Sequence, residues 1–334
     1  FYDLIPRYSA DPIQDQSKWD ALAALIYTGG TTGVSKGVML SHANLSCNVQ
    51  QFMAWFPELN PGEERLMGNY PVFHSAGFAT MQNLVTWQGW EHIMVPRPEP
   101  KINIQLINKF KPTFLPGVPT LFVGLLADPD FSKLDLSSIK GFFSGAAPLG
   151  ADTISALKDI GGAMMGGVYG ATETAPYATV TPWGGNIRPG TVGVPIPDTD
   201  IKIVAIDDPT KELPPGEAGE IAIKGPQIMM GYYKQPQETS EVLKDGWFYS
   251  GDIGMFDKDG YLSIVDRKKD MIIAGGYNIY PLEIDDVLMG HPKILEACTI
   301  GVPDAYRGET VKAFIVTVEG ETLTEEEVNR HCRE

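Results

Sequence analysis

Residues Tyr27-Thr-Gly-Gly-Thr-Thr-Gly-Val-Ser-Lys-Gly37 carry the strongest chemical signal in the chain. Glycines and hydroxyl side chains in one uninterrupted stretch let several backbone N–H groups turn toward a single concavity. Such a nest favours phosphate, and Lys36 adds a mobile positive charge. The stretch departs from the Walker A pattern, because Lys36 follows Ser35 and precedes Gly37, where that pattern needs Gly before the lysine and Ser or Thr after it. That departure counts against a P-loop phosphotransferase. A flexible surface loop is the plain alternative.

Other residues carry weaker signals. Thr172-Glu173 is a hydroxyl beside a carboxylate, a pair that also suits the start of a helix. Tyr169 offers a flat face on which a base can stack, although an aromatic is more often core. Asp252 follows a Ser-Gly turn and offers two acceptors to a sugar's hydroxyls. Arg267, taken alone, is an ordinary surface charge. His74 follows an apolar stretch, where a lone histidine is more often a satisfied core group.

Composition bounds these readings. The chain has 334 residues, a formal charge of −16, 43% hydrophobic and 20% charged residues. That is too apolar for a disordered chain, and no run of about 18 apolar residues suggests a membrane span. Any membrane association is expected to be peripheral at most. The acidic balance argues against a nucleic-acid backbone as partner. The three cysteines, Cys47, Cys298 and Cys332, form neither a disulfide framework nor metal-type spacing, so a cytoplasmic setting is expected. The 36 glycines and 26 prolines indicate many loops.

The elements that must position these residues follow from periodicity. Leu22 to Tyr27, Glu91 to Val95 and Ile139 to Phe143 read as buried strands. His42 to Phe56, Ile102 to Phe110 and Asp152 to Asp159 read as helices. Over residues 22–180 this alternation predicts α/β layers around a largely parallel sheet. From about residue 191, Asp200 to Ile206 and Glu220 to Lys224 alternate in period two between Pro- and Gly-rich turns, as in an antiparallel, barrel-like unit. After the charged run 266–270 an α+β pattern begins, with a helix near Pro281 to Met289 and strands near Leu295 to Val302 and Val311 to Val318. The expected division is 1–190 (α/β part of a large domain), 191–268 (β-rich subdomain) and 269–334 (incomplete small α+β domain).

The glycine-rich loop resembles the phosphate loop of the acyl-adenylate-forming superfamily, which comprises acyl-CoA synthetases, luciferases and peptide-synthetase adenylation domains. Further matches follow in the family's order: Pro71-Val-Phe-His74, Ser144-Gly-Ala-Ala-Pro-Leu149, Tyr169-Gly-Ala-Thr-Glu173, Gly219-Glu-Ile-Ala-Ile-Lys-Gly225, Tyr249-Ser-Gly-Asp252 and Asp266-Arg267. They span about residues 20–320. The stretch 266–284 looks most like bacterial or archaeal fatty-acid:CoA ligases.

The resemblance implies two half-reactions. A carboxylate, of a medium- or long-chain fatty acid in the preferred reading, attacks the α-phosphate of ATP to give acyl-AMP and pyrophosphate. CoA then displaces AMP. By the same resemblance Lys36, with Thr28, Gly29, Gly30, Thr31, Thr32 and Gly33, holds the outgoing phosphates. Thr172 bonds the α-phosphate and Glu173 brings in Mg²⁺, which prefers few carboxylates plus substrate phosphates. Tyr169 and Gly170 meet the adenine, with Gly145, Ala146 and Ala147 as a low wall. Asp252 takes the ribose, and Arg267 the sugar or a phosphate. His74 orients the acyl carboxylate beside the α-phosphate, since a carboxylate needs no activating base at pH 7. Gly145 and Gly170 border the acyl group, and Phe78 falls at an aromatic gate in related long-chain enzymes; core packing is its other reading. Lys269 falls at a hinge of the small domain. Gly275, Gly276 and Tyr277 line the CoA path, with a plain turn as the alternative.

The resemblance also implies a sizeable region before the phosphate loop and a second catalytic lysine near the family's C-terminus. Neither lies in these 334 residues. The expectation is therefore a piece of an enzyme, impaired in adenylation. Two alternatives stand beside the ligase: a module that binds nucleotide or acyl-AMP without turnover, and an adenylation domain for an aryl or amino acid. A homodimer is compatible with the resemblance.

Overall fold

The computed structural model describes residues 17–28, 35–145, 150–161, 164–185, 187–275, 277–304 and 306–333. The loop glycines and threonines 29–33, together with Ala146, Ala147 and Gly276, lie outside the described residues.

A seven-stranded sheet forms the centre. Its order is Glu91–Met94, Arg65–Gly68, Phe114–Gly117, Gly141–Ser144, Met164–Gly170, Tyr177–Val180 and Val194–Pro195. The first five strands are parallel and the last two add antiparallel. The five parallel strands are mostly short apolar runs such as Phe114-Leu-Pro-Gly117, buried at all four positions, as expected of strands covered on both faces. Crossover helices Pro100–Phe110 and Pro119–Ala127 each open with Pro in the first turn, where the missing N–H is no loss. An aromatic stack of Phe52, Phe56, Phe114 and Phe143, with ring centroids 4.6–6.2 Å apart, ties helix His42–Ala54 to the sheet.

One sequence expectation is corrected here. Leu22–Thr28 is a strand, but not of the parallel sheet. It pairs antiparallel with Lys36–Ser41 in a separate three-stranded sheet completed by Gly231–Tyr232. The phosphate-loop stretch therefore joins the arms of a hairpin, with Thr28 opposite Lys36, whereas a P-loop joins strand to helix. Helix His42–Ala54 starts only after the second arm. Ser41 caps it, accepting from the Asn44 N–H while the Asn44 side chain accepts from the Ser41 N–H. This reciprocal cap fixes the direction in which the hairpin enters the core.

Residues 200–267 form a five-stranded antiparallel sheet of Asp200–Val204, Gly219–Lys224, Leu243–Lys244, Trp247–Phe256 and Leu262–Arg267. Ile203, Ile221, Ile223, Phe248 and Leu262 pack from it into the same core as Val38, Leu40 and Tyr232 of the three-stranded sheet. A four-stranded antiparallel sheet follows, ordered Tyr277–Ile279, Ile272–Ala274, Gly308–Thr317, Ile294–Asp304, with helices Pro281–Met289 and Glu325–His331. The last helix begins at the Thr324/Glu327 capping box. The whole is a mixed α/β arrangement: a layered parallel sheet, an antiparallel barrel-like unit and an α+β segment.

Candidate active site

The parallel strands Arg65–Gly68, Phe114–Gly117, Gly141–Ser144 and Met164–Gly170 all point their C-terminal ends at one edge of the sheet. Ligands of open α/β sheets bind outside such ends. Tyr169 stands near the end of the last of these strands, and the segments leaving the edge carry His74, Gly145 and the short 3-10 helix Thr172–Thr174. The turn holds Thr172-Glu173, so these residues open no α-helix and their groups are not consumed as caps.

Thr172 is buried, and its hydroxyl lies 3.2 Å from that of Ser75, also buried. Ser75 follows His74 and precedes the π-helix Ala76–Gln82. A π-helix is rare and is frequent at functional sites. Its start is crowded: a Cβ at Gly77 would collide with the Pro71 carbonyl oxygen. His74 is exposed, and its Nδ1 accepts from the Ala76 N–H at 3.2 Å. Desolvation by the protein around the ring holds its pKa below the ordinary histidine value, which favours the neutral imidazole. Phe78, half-buried, packs against the core shared by Tyr169, Tyr232 and Ile26.

Glu173 is half-buried, and its Oε1 accepts from the Tyr232 hydroxyl at 2.8 Å. Burial raises its pKa, opposed by the Tyr232 hydrogen bond and the Lys36 charge. The Lys36 Nζ lies 4.9 Å from the centroid of the Tyr232 ring. Lys36, Tyr232, Glu173, Thr172 and Ser75 are thus linked neighbour to neighbour. Tyr232 and Ser75 were not among the residues singled out from sequence. No local pattern marks Tyr232, because its bond to Glu173 spans 59 residues.

A second group lies beside the first. The Tyr169 hydroxyl donates to Asp252 Oδ2 at 2.7 Å, and Arg267 Nε lies 3.6 Å from Asp252 Oδ1. Burial raises the Asp252 pKa, and the bond from Tyr169 and the charge of Arg267 oppose it. Lys268 bonds the buried Glu220 at 2.7 Å, whereas Lys269 Nζ lies 3.8 Å from Asp270 Oδ1. Gly145 and Gly170 are glycines for packing reasons on their protein side. A Cβ at Gly145 would lie 2.8 Å from the Tyr70 hydroxyl, and one at Gly170 would collide with the Pro176 carbonyl oxygen. Gly275 has φ +60 with open space around it, so its backbone, not crowding, calls for glycine. Tyr277 is 78% exposed.

Residues 4–233 match the family model described as AMP-binding enzyme, and residues 283–334 match that of the AMP-binding enzyme C-terminal domain. The chain belongs to the AMP-binding enzyme family. Among relatives, it is 44% identical over 333 residues to a long-chain-fatty-acid–CoA ligase of Bacillus subtilis, covering 99% of this chain and 58% of that protein. It is 40% identical over 315 residues to the ligase of the same name from Escherichia coli O6:H1, covering 93% of this chain and 55% of that protein. The chain thus spans between half and three fifths of the length of these AMP-binding relatives. A crystal structure of ATP-bound MatB from Rhodopseudomonas palustris superposes with a TM-score of 0.92 at 35% identity, over 99% of this chain and 65% of that one. The same comparison with MenE, an O-succinylbenzoate–CoA synthetase of Bacillus subtilis in complex with AMP, gives 0.87 at 27% identity, over 99% and 66%. The family resemblance read from the motifs is therefore borne out for this chain. No helix among the described residues is long and apolar enough to cross a membrane.

Proposed function

We propose that this chain carries the acid-activating site of an AMP-forming acyl-CoA ligase whose substrate is a medium- or long-chain fatty acid. The acid's carboxylate attacks the α-phosphorus of ATP, the bond to the pyrophosphate oxygen breaks, and acyl-AMP forms. CoA thiol then attacks the acyl carbon and AMP leaves. The single observation that carries this reading is the Lys36–Tyr232–Glu173–Thr172 neighbourhood at the C-terminal edge of the parallel sheet. There an ammonium, a carboxylate and a buried hydroxyl adjoin one another.

The first step brings two anions together, so placement and charge dominate. Lys36 sits at the end of its hairpin arm, where its ammonium meets the outgoing phosphates. The Thr172 hydroxyl, held by Ser75, is aimed at the α-phosphate. His74, neutral, orients the acyl carboxylate through hydrogen bonding and takes no proton. Tyr169 presents its ring to adenine, and its bond to Asp252 fixes the ring's tilt. Asp252 keeps Oδ1 toward the ribose, with Arg267 beside it. Lys269 is the pivot of the segment that follows, and Gly275 and Tyr277 border the thiol's path.

The donor set fits Mg²⁺ that arrives with ATP. Glu173 is one carboxylate, and among the described residues no group of three or more His, Cys, Asp or Glu gathers closely enough to hold an ion. Mg²⁺ prefers one or two carboxylates plus phosphate oxygens and water. When bound it supplies charge neutralisation between the phosphates.

Pyrophosphate exchange into ATP, run with the intact enzyme over a panel of straight-chain, aryl and amino acids, tests the proposal. Exchange is expected with acids of about eight carbons or more. Exchange with amino acids alone would defeat it.

A further inference from the structure

We propose that Tyr232 is a positioning residue that sets the distance between the phosphate-loop lysine, Lys36, and the metal-facing carboxylate, Glu173. The inference rests on the acid-activating reading of this site and adds a residue to it.

Three observations carry it. The first is that one side chain meets both charged groups in different ways. The Tyr232 hydroxyl donates to Glu173 Oε1 at 2.8 Å, and the face of its ring takes the Lys36 ammonium at 4.9 Å. A phenol is suited to this double task, since it joins a hydrogen-bond donor at its tip to an electron-rich face that attracts cations.

The second is that the ring cannot drift. Tyr232 is 6% exposed and lies in the core formed by Val38, Ile26 and Phe248. Its backbone N–H donates to Thr239 Oγ1 at 2.9 Å, and its strand pairs with Lys36–Ser41, Tyr232 standing opposite Val38. The Tyr233 N–H donates to the Gly37 carbonyl at 2.7 Å. The ring is therefore registered against the same strand that carries Lys36.

The third is a direct tie to the other partner. The Met229 N–H donates to the Glu173 carbonyl oxygen at 2.9 Å, three residues before Tyr232. The segment 229–233 thus holds the Glu173 backbone at one end and the Lys36 strand at the other, with the Tyr232 side chain between the two charges. Lys36 lies on the three-stranded sheet and Glu173 on the 3-10 turn Thr172–Thr174, and no hydrogen bond or ion pair joins them among the described residues. In this arrangement the phenol transmits their spacing.

A merely space-filling Tyr232 gives a different experimental signature. Tyr232→Phe keeps the ring and removes only the donor. The experiment measures ATP binding to the intact enzyme by calorimetry, with Mg²⁺ and in EDTA, for wild type, Y232F, E173Q and the double variant. Loss of a hydrogen bond to a charged group predicts about tenfold weaker binding of Mg·ATP in Y232F. Binding in EDTA is expected to stay within about twofold, and Y232F in the E173Q background is expected to add nothing, since the two act as one unit. In exchange assays the KM for Mg·ATP rises more than kcat falls. Equal Mg·ATP affinities of Y232F and wild type would overturn the proposal, as would losses that add in the double variant. The E173Q background serves also if Y232F alone is poorly folded, because it leaves no buried carboxylate unpaired. Wild type that binds Mg·ATP yet exchanges pyrophosphate with no acid would sink the ligase reading, while the binding cycle would still decide Tyr232.

Discussion

Asp252 and Arg267 stand opposite each other in the ladder between strands Trp247–Phe256 and Leu262–Arg267, and Arg267 Nε lies 3.6 Å from Asp252 Oδ1. The contact is lopsided. The Asp252 side chain is 20% exposed and bonded to Tyr169, whereas the Arg267 side chain is 61% exposed. A pair open to water on one side contributes about 0–1 kcal/mol to stability.

That lopsidedness yields the first prediction. Arg267→Ala is expected to change unfolding free energy by less than about 1 kcal/mol. The same variant is expected to raise the KM for ATP about tenfold, since a charge-assisted contact to sugar or phosphate is lost. Denaturant melts alongside exchange kinetics check both halves. A large stability loss with unchanged KM would make Arg267 structural.

His74 gives a pH prediction. Desolvation holds its folded pKa below the ordinary 6.5, so protonation is disfavoured in the folded state. The resulting penalty is absent above pH 6.5 and grows as pH falls below it. His74→Ala is expected to lower the exchange rate about tenfold or more without moving the pH profile above 6.5, because orientation and not proton transfer is lost. A wild-type rate that climbs with pH through the histidine titration, with no such climb in the variant, would contradict this.

Gly170 tests the wall of the site. An added Cβ would run into the Pro176 carbonyl oxygen, part of the backbone, so the turn itself must shift. Gly170→Ala is expected to destabilise by about 1–3 kcal/mol and to displace Tyr169, read as a lower melting temperature and weaker AMP binding.

Glu327 offers a test far from the chemistry. Its carboxyl bonds Lys293 Nζ at 2.9 Å and the Thr324 N–H at 2.9 Å, and these bonds hold its pKa down to about 2 from an ordinary 4.5. A depressed carboxylate stabilises above its unfolded value and loses that contribution as pH falls through the folded one. Helix Glu325–His331 is therefore expected to fray between about pH 4.5 and about pH 2, read by carbon-13 titration of Glu327. Titration at an ordinary value would remove the cap from the argument.

Local signals made many elements legible. Helix Pro281–Met289 was expected at those residues, because Pro281 opens it, Gly290 ends it and its apolar residues recur at helical spacing. The Thr324/Glu327 box is a local pattern of the same kind, both partners lying within one turn. Strand Leu22–Thr28 was legible as a strand but not in its partner, since an apolar run does not say which neighbour it will meet. Its pairing with Lys36–Ser41 and Gly231–Tyr232 depends on contacts made far along the chain. Gly145 and Gly170, read from sequence as bordering the base and the acyl group, also make room for protein groups, the Tyr70 hydroxyl and the Pro176 carbonyl.

By itself the sequence marked which residues are candidates for phosphate, metal and sugar, and in what order, because motif chemistry is written within a few neighbouring residues. The tertiary structure alone decided which of them share a neighbourhood. Tyr232 between Lys36 and Glu173, Ser75 on Thr172, and Asp266 Oδ2 accepting from the Leu282 N–H at 3.0 Å at the head of a later helix were in no local pattern. The physical reason is that hydrogen bonds and cation–π contacts act over a few ångströms of space, while the residues they join are separated by many turns of chain.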